Sequence, residues 1–263
     1  MSPAIAVLTA WLVFGGSHLL LSAPPLRASL SNKLGASRFV VFYTLIAAVS
    51  LSLLIATVAN NGGDGLGGLN LATVPAARWT LGGIAMIGAV LATAGIVNYS
   101  RSPMAVLARR WRAPNDSKRK PLAPPTAVER ITRHPFFIGL ALLMGAHALL
   151  ASTLAGAVYF VGFALLALIG IPMQDRKLRE RHGDLYGAYL AHSSAVPFAA
   201  VRLSSDGARE RVWPVLVASI AGAILLAALH PLWRLGYGAP FAAVVLIGGL
   251  YGVAKQLRHS RNE

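Results

Sequence analysis

The feature that most constrains this chain is where its charges are missing. Residues 1–26, 39–63, 79–100, 134–174, 212–233 and 235–254 contain no Asp, Glu, Lys or Arg. A membrane-spanning helix needs about 20 consecutive apolar residues. Five of these stretches hold one span each, and the 41 residues of 134–174 hold two, turning near Ser152-Thr153. The expected spans lie near 3–22, 39–59, 80–99, 135–151, 155–173, 213–230 and 240–254. None shows the strand-length alternation of an outer-membrane barrel. The fold class is therefore all-α, a polytopic transmembrane bundle of about seven spans. The composition agrees, since 56% of residues are hydrophobic and 13% are charged, about half the charge of a soluble domain.

The charges that remain report the side of the membrane. Of 24 Lys and Arg, the segments 23–38, 100–134, 174–212 and 255–263 hold 22, and only Arg78 and Arg234 fall on the opposite connections. The positive-inside bias then places the N-terminus outside and the C-terminus inside. The net charge of +15 follows from this topology and from attraction to anionic membrane lipids. Basic runs such as Arg109-Arg110-Trp111-Arg112 therefore do not imply nucleic acid. The expected location is an integral membrane protein of a bacterial inner (cytoplasmic) membrane.

The chain reads as one membrane domain over 1–263, with cytoplasmic loops at 100–133 and 174–211. Five prolines keep 100–133 from forming more than short helices. Residues 174–192 read as a helical extension of the fifth span, interrupted at Gly183. The Gly-rich loop 60–75 is expected to be mobile. There is no cysteine, which excludes disulfides, thiolate metal sites and a cysteine nucleophile.

The spans hold almost no carboxylates, so a proton-relay or ion-transport role lacks its usual intramembrane acid. Histidine remains. His18 lies in the inner half of span 1, His134 at the inner mouth of span 4, His147 within span 4, and His230 at the outer end of span 6. A single membrane histidine most often makes an interhelical hydrogen bond. Two deep histidines on different helices also suit a six-coordinate haem b, which needs two neutral imidazoles facing across an apolar slot. A zinc site would want three or four ligands. His134 and His147 are 13 residues apart, about 20 Å along one helix. They cannot both hold one iron, so one of them would pair with another helix, and His18 is the natural partner.

These residues resemble the NnrU-like membrane proteins, a family that includes the 15-cis-ζ-carotene isomerases. The resemblance rests on His18 followed by Ser22, Pro24, Pro25, Leu26 and Arg27, then Leu34-Gly35, Arg38 and Tyr43. It continues in Thr132-Arg133-His134-Pro135 with Ala146-His147, in Asp175-Arg176-Lys177-Leu178 with Gly183, Tyr186 and Val196-Pro197-Phe198-Ala199-Ala200, and in His230-Pro231. It implies a haem-b protein with His18 and His147 as axial ligands. The activity implied is redox-gated cis–trans isomerisation of a polyene lipid, or a role in nitrite and nitric-oxide metabolism, with a redox partner in either case. His134 is then a reserve ligand or a neighbour of the haem propionates, with Arg133 and Arg130 beside it. Counting from the inner face, His18 lies about 6 Å deep and His147 about 20 Å, which makes His134 the closer match to His18 in height.

Arg133-His134-Pro135 with Gly139, and Asp175 ahead of Leu178, Gly183, Tyr186, Tyr189 and Pro197, also resemble the isoprenylcysteine carboxyl methyltransferases and phospholipid methyltransferases. That resemblance implies S-adenosylmethionine at the cytosolic face. It departs at Asp175, where glutamate is usual, and at Phe136-Phe137, where tyrosine is often seen. A membrane accessory protein without chemistry of its own is the third reading.

Overall fold

The structure is a computed structural model. It describes residues 1–99 and 125–199 and scattered helical positions between 216 and 228. The spans expected at 213–230 and 240–254, the loop 100–124 and His230 lie wholly or mostly outside the described residues. Within these, the chain is helical, and the sole strand-like pairing is a single bridge between Gly67 and Thr153.

The helices are α1 (Pro3–Ser22), α2 (Pro24–Leu34), α3 (Ala36–Asn61), α4 (Pro75–Asn98), α5 (Ala127–Ile131), α6 (Pro135–Leu150), α7 (Leu154–His182) and α8 (Asp184–Ala191). Their ends follow from local chemistry. The Ser2 hydroxyl accepts from the Ile5 N–H, capping α1 ahead of Pro3. Ala23 is extended (φ −63°, ψ 131°), as a residue before proline prefers. That separates α1 from α2. Gly35 at φ 83° ends α2, and Gly183 at φ 48° separates α7 from α8. Both conformations are ones that glycine adopts without strain. The interruption expected at Gly183 is therefore real, and α7 runs unbroken through Pro172 up to it.

Among the described residues, four helices are long and apolar enough to cross a membrane: Pro3–Ser22, Ala36–Asn61, Pro75–Asn98 and Leu154–Glu180. Their outward positions carry Leu12, Leu53, Ile87 and Leu165, each more than half exposed. Water would penalise such a surface, whereas lipid chains match it. The α6 helix is equally apolar but has 16 residues, about 24 Å of axis. That is short of the roughly 30 Å hydrocarbon core.

The chain divides into two compact units. Among the described residues the first comprises 1–81 and 147–162, and the second 82–99, 125–146, 163–199 and the described positions between 216 and 228. In the first, α1 packs along α3 and α2 touches both. Val7, Phe39 and Leu54 are fully buried in this unit. The Trp11 indole donates to the Tyr159 carbonyl at 3.1 Å. A Cβ at Gly162 would sit 2.2 Å from the Trp11 ring, so only glycine admits the indole there. The Gly-rich loop departs from expectation. Its backbone is fastened to 151–154 by Gly68 N–H to Ser152 O (3.0 Å), Asn70 N–H to Ala151 O (3.1 Å) and Leu154 N–H to Leu66 O (2.7 Å). Glycine serves close approach here, since a Cβ at Gly68 would lie 2.4 Å from the Ala151 carbonyl oxygen.

In the second unit, α4 and α6 meet through glycine. A Cβ at Gly139 would lie 2.3 Å from the Ala92 nitrogen, one at Gly88 2.6 Å from the Leu143 nitrogen, and one at Gly95 2.6 Å from the Phe136 nitrogen. Positions 88, 92 and 95 fall on one helical face, so small residues let the two backbones touch. This contact brings the C-terminal end of α4 against the N-terminal end of α6.

Candidate functional site

The second unit gathers its polar side chains where α5 hands over to α6. Thr132 is extended (φ −156°), and the segment 131–133 is held against 194–198. Arg133 N–H donates to Ser194 O at 2.8 Å, Phe198 N–H to Ile131 O at 2.7 Å, and the Thr132 hydroxyl to Ala195 O at 2.9 Å. Pro135 then starts α6 without needing an N–H partner. The side chains of Arg133 and His134 are thereby aimed at Asp175 on α7.

Asp175 is the hub of a four-residue cluster. Arg133 donates from Nε to both carboxylate oxygens, at 3.2 and 3.1 Å, and from Nη2 to Oδ2. His134 Nε2 lies 2.7 Å from Oδ1, and the Tyr186 hydroxyl donates to Oδ1 at 2.5 Å. The Gly183 break folds α8 back along α7, and Leu178, Tyr186 and Tyr189 form a buried core there, with Leu190 packed against it. The Arg133 and Asp175 side chains are 14% and 13% exposed, and that of His134 2%. The pair is thus largely desolvated, and Arg133 meets its carboxylate as a bidentate fork. Burial works against the Arg133 cation, and the Asp175 hydrogen bond more than offsets it, raising the guanidinium above its usual range. Burial, and then the Asp175 anion, push the Tyr186 hydroxyl far above the usual phenol range.

A second network adjoins the first. The Asn98 amide donates to the Thr126 hydroxyl at 2.6 Å. The Thr126 N–H and hydroxyl both reach Glu129 Oε2 at 2.9 Å, closing a capping box on α5. All three residues are buried. The Tyr189 hydroxyl is buried without a hydrogen bond of normal geometry. Burial first, and then Glu129, raise it well beyond the ordinary range.

Between these networks lies a cavity of about 390 Å³, within the 300–1,000 Å³ typical of small-molecule sites. Its polar wall is Asn98, Glu129, Arg133, His134 and Gln174, and its apolar wall includes Ile96, Pro135, Phe136 and Phe137. The arrangement can hold a ligand with an apolar body and a hydrogen-bonding head. It can also present an imidazole whose orientation a carboxylate has fixed.

The expected site residues separate accordingly. Arg133 and His134 come together with Asp175, while Arg130 is partly exposed on α5. His18 lies in the first unit, where the Tyr43 hydroxyl is 3.0 Å from Nδ1 and 3.2 Å from Nε2, with Phe14 beside the ring. His147 packs on Phe160, with ring centroids 5.2 Å apart. Among the described residues no group of three or more His, Asp or Glu is placed to hold a metal ion. His18 and His147 both belong to the first unit, on separate helices. The roles of Asn98, Glu129 and Gln174 were not legible beforehand, although Thr126-x-x-Glu129 carried the capping-box signature.

The sequence matches the family described as NnrU protein over residues 6–236. A 15-cis-zeta-carotene isomerase, chloroplastic, of Arabidopsis thaliana is 28% identical over 203 residues, covering 76% of this chain and 51% of that protein. The protein of the same name from Zea mays is 33% identical over 76 residues, covering 29% of this chain and 21% of that protein. The chain thus spans about half the length, or less, of these curated relatives. No solved structure matches.

Proposed function

The chain belongs to the NnrU protein family, and from that footing we propose that it catalyses cis–trans isomerisation of a polyene lipid within the membrane. The observation that carries this reading is its relation, over 203 residues, to a plant ζ-carotene isomerase. Four helices long and apolar enough to cross a bilayer support a substrate drawn from the lipid phase. A bacterial cytoplasmic membrane, with the N-terminus outside, is the proposed setting.

Haem b is the cofactor that the family resemblance implies. When bound, its iron would supply a Lewis-acid or redox centre beside the double bond. His18 and His147 are the proposed ligands, with His134 in reserve and Arg133 and Arg130 near the propionates. The test is the visible spectrum of detergent-purified protein reconstituted with hemin, followed by His18→Ala and His147→Ala. Sharp α and β bands on reduction, lost in each variant, support the ligand pair. Absence of a Soret band after reconstitution ends the haem proposal. Conversion of tri-cis-ζ-carotene in a producing host tests the isomerase reading separately.

One observation favours a second reading. Arg133, His134, Asp175 and Tyr186 form a single cluster, as the methyltransferase resemblance implies for those positions. Calorimetric titration with S-adenosylmethionine distinguishes this reading, because the isomerase reading expects no heat of binding.

A further inference from the structure

The cavity in the second unit has a donor inventory that selects among ligands. Arg133 spends Nε and Nη2 on Asp175, and its Nη1 makes no hydrogen bond to the described residues. The Gln174 amide likewise has no hydrogen bond among them. Both line the cavity, and together they offer N–H donors without an acceptor among the described residues. Donors that face a largely apolar cavity favour a ligand that satisfies them.

Charge narrows the choice. The Arg133 cation is already matched by Asp175, while Glu129, 2% exposed, lies on the same wall. Among the described residues a second anion would meet no cation but the paired Arg133, and would face the Glu129 carboxylate. A cation would face Arg133. A neutral acceptor, such as a ring carbonyl, suffers neither penalty and can take the free donors. Close packing fixes part of the apolar wall. The Phe136 backbone is packed against Gly95, and a Cβ at Gly170 would lie 2.9 Å from the Phe137 ring.

We propose that this cavity binds the head of a neutral, lipid-soluble carbonyl compound of the quinone class. Arg133 Nη1 and the Gln174 amide donate to the carbonyl oxygens, and the hydrocarbon remainder lies along Phe136 and Phe137. His134, held by Asp175, gives the head a fixed polar neighbour. The inference rests on the cavity alone and is independent of haem binding and of isomerase activity, so either can fail without the other.

The experiment is calorimetric titration of the detergent-purified full chain with decylubiquinone, and with dodecanoate as an anion of similar chain length. Saturable one-site binding of decylubiquinone is expected. Gln174→Leu should weaken it about tenfold, the loss of one hydrogen bond, and Gln174→Glu should weaken it further. Gln174 bonds to no described residue, so helix content by circular dichroism should be unchanged in both. Heat that follows only micelle partition overturns the proposal. So does binding unchanged by Gln174→Leu, or dodecanoate binding as tightly as decylubiquinone and displacing it.

Discussion

Replacing Asp175 with asparagine is the sharpest perturbation of the polar cluster, because it keeps the shape and removes the charge. Three donors converge on this carboxylate, from Arg133, His134 and Tyr186. The Arg133 side chain is 14% exposed, so little water is available to solvate the guanidinium once its anion is gone. Removing one partner of a buried ion pair costs about 3–5 kcal/mol. The residual exposure and the surviving amide oxygen argue for the lower end, about 3 kcal/mol. That free energy corresponds to a change of about 100-fold in a local opening equilibrium. The affected region is 184–198, which Tyr186 and the backbone bonds of 131–133 hold in place. Hydrogen–deuterium exchange of the detergent-purified protein should therefore show amides in 184–198 exchanging about 100-fold faster in Asp175→Asn, with α1 and α3 unchanged. Arg133→Leu should have a similar effect, and the double variant should be less impaired than the sum of the two. Additive effects, or an exchange rate within twofold of the parent chain, would refute a cooperative cluster.

Other outcomes follow from the packing. Gly139→Leu should abolish folded protein on detergent size-exclusion chromatography, because its Cβ would fall 2.3 Å from the Ala92 nitrogen, whereas Gly145→Ala, with nothing within 4 Å, should be tolerated. Gly162→Ala should red-shift Trp11 emission in a variant whose other tryptophans are replaced, since the indole must leave its 3.1 Å bond to Tyr159 O. The Tyr186 and Tyr189 hydroxyls are both raised above their usual range. Their contribution to stability is therefore complete below the unfolded phenol value near pH 10 and falls above it, by about 1.4 kcal/mol per pH unit for each residue. Tyr186→Phe should flatten alkaline unfolding by about one proton.

The charge-free windows located the four long apolar helices among the described residues, because a 20-residue apolar run has few other stable fates in water or lipid. The punctuation was equally local. Pro24-Pro25, Gly35 and Gly183 bound helices through their own backbone preferences, and of these the break at Gly183 was visible in advance. Family membership was legible because it rests on residues in order, such as Arg133-His134-Pro135, and not on their distances.

Distance is what the sequence left open. Asp175 follows His134 by 41 residues, and nothing local to either shows that His134 Nε2 lies 2.7 Å from its carboxylate. The Gly183 break likewise lets Tyr186 reach the same carboxylate. The Gly-rich loop makes the same point in reverse. Its composition suggested motion, yet its backbone found partners at Ala151 and Ser152. His18 lies beside Tyr43 and His147 beside Phe160, neighbours that no local pattern announced. Apolar periodicity and helix breakers act through neighbours in the chain, so the sequence alone determined that this protein is a set of long apolar helices. Which polar groups converge is set by how helix faces turn toward one another, and only the tertiary structure decided that they converge on Asp175.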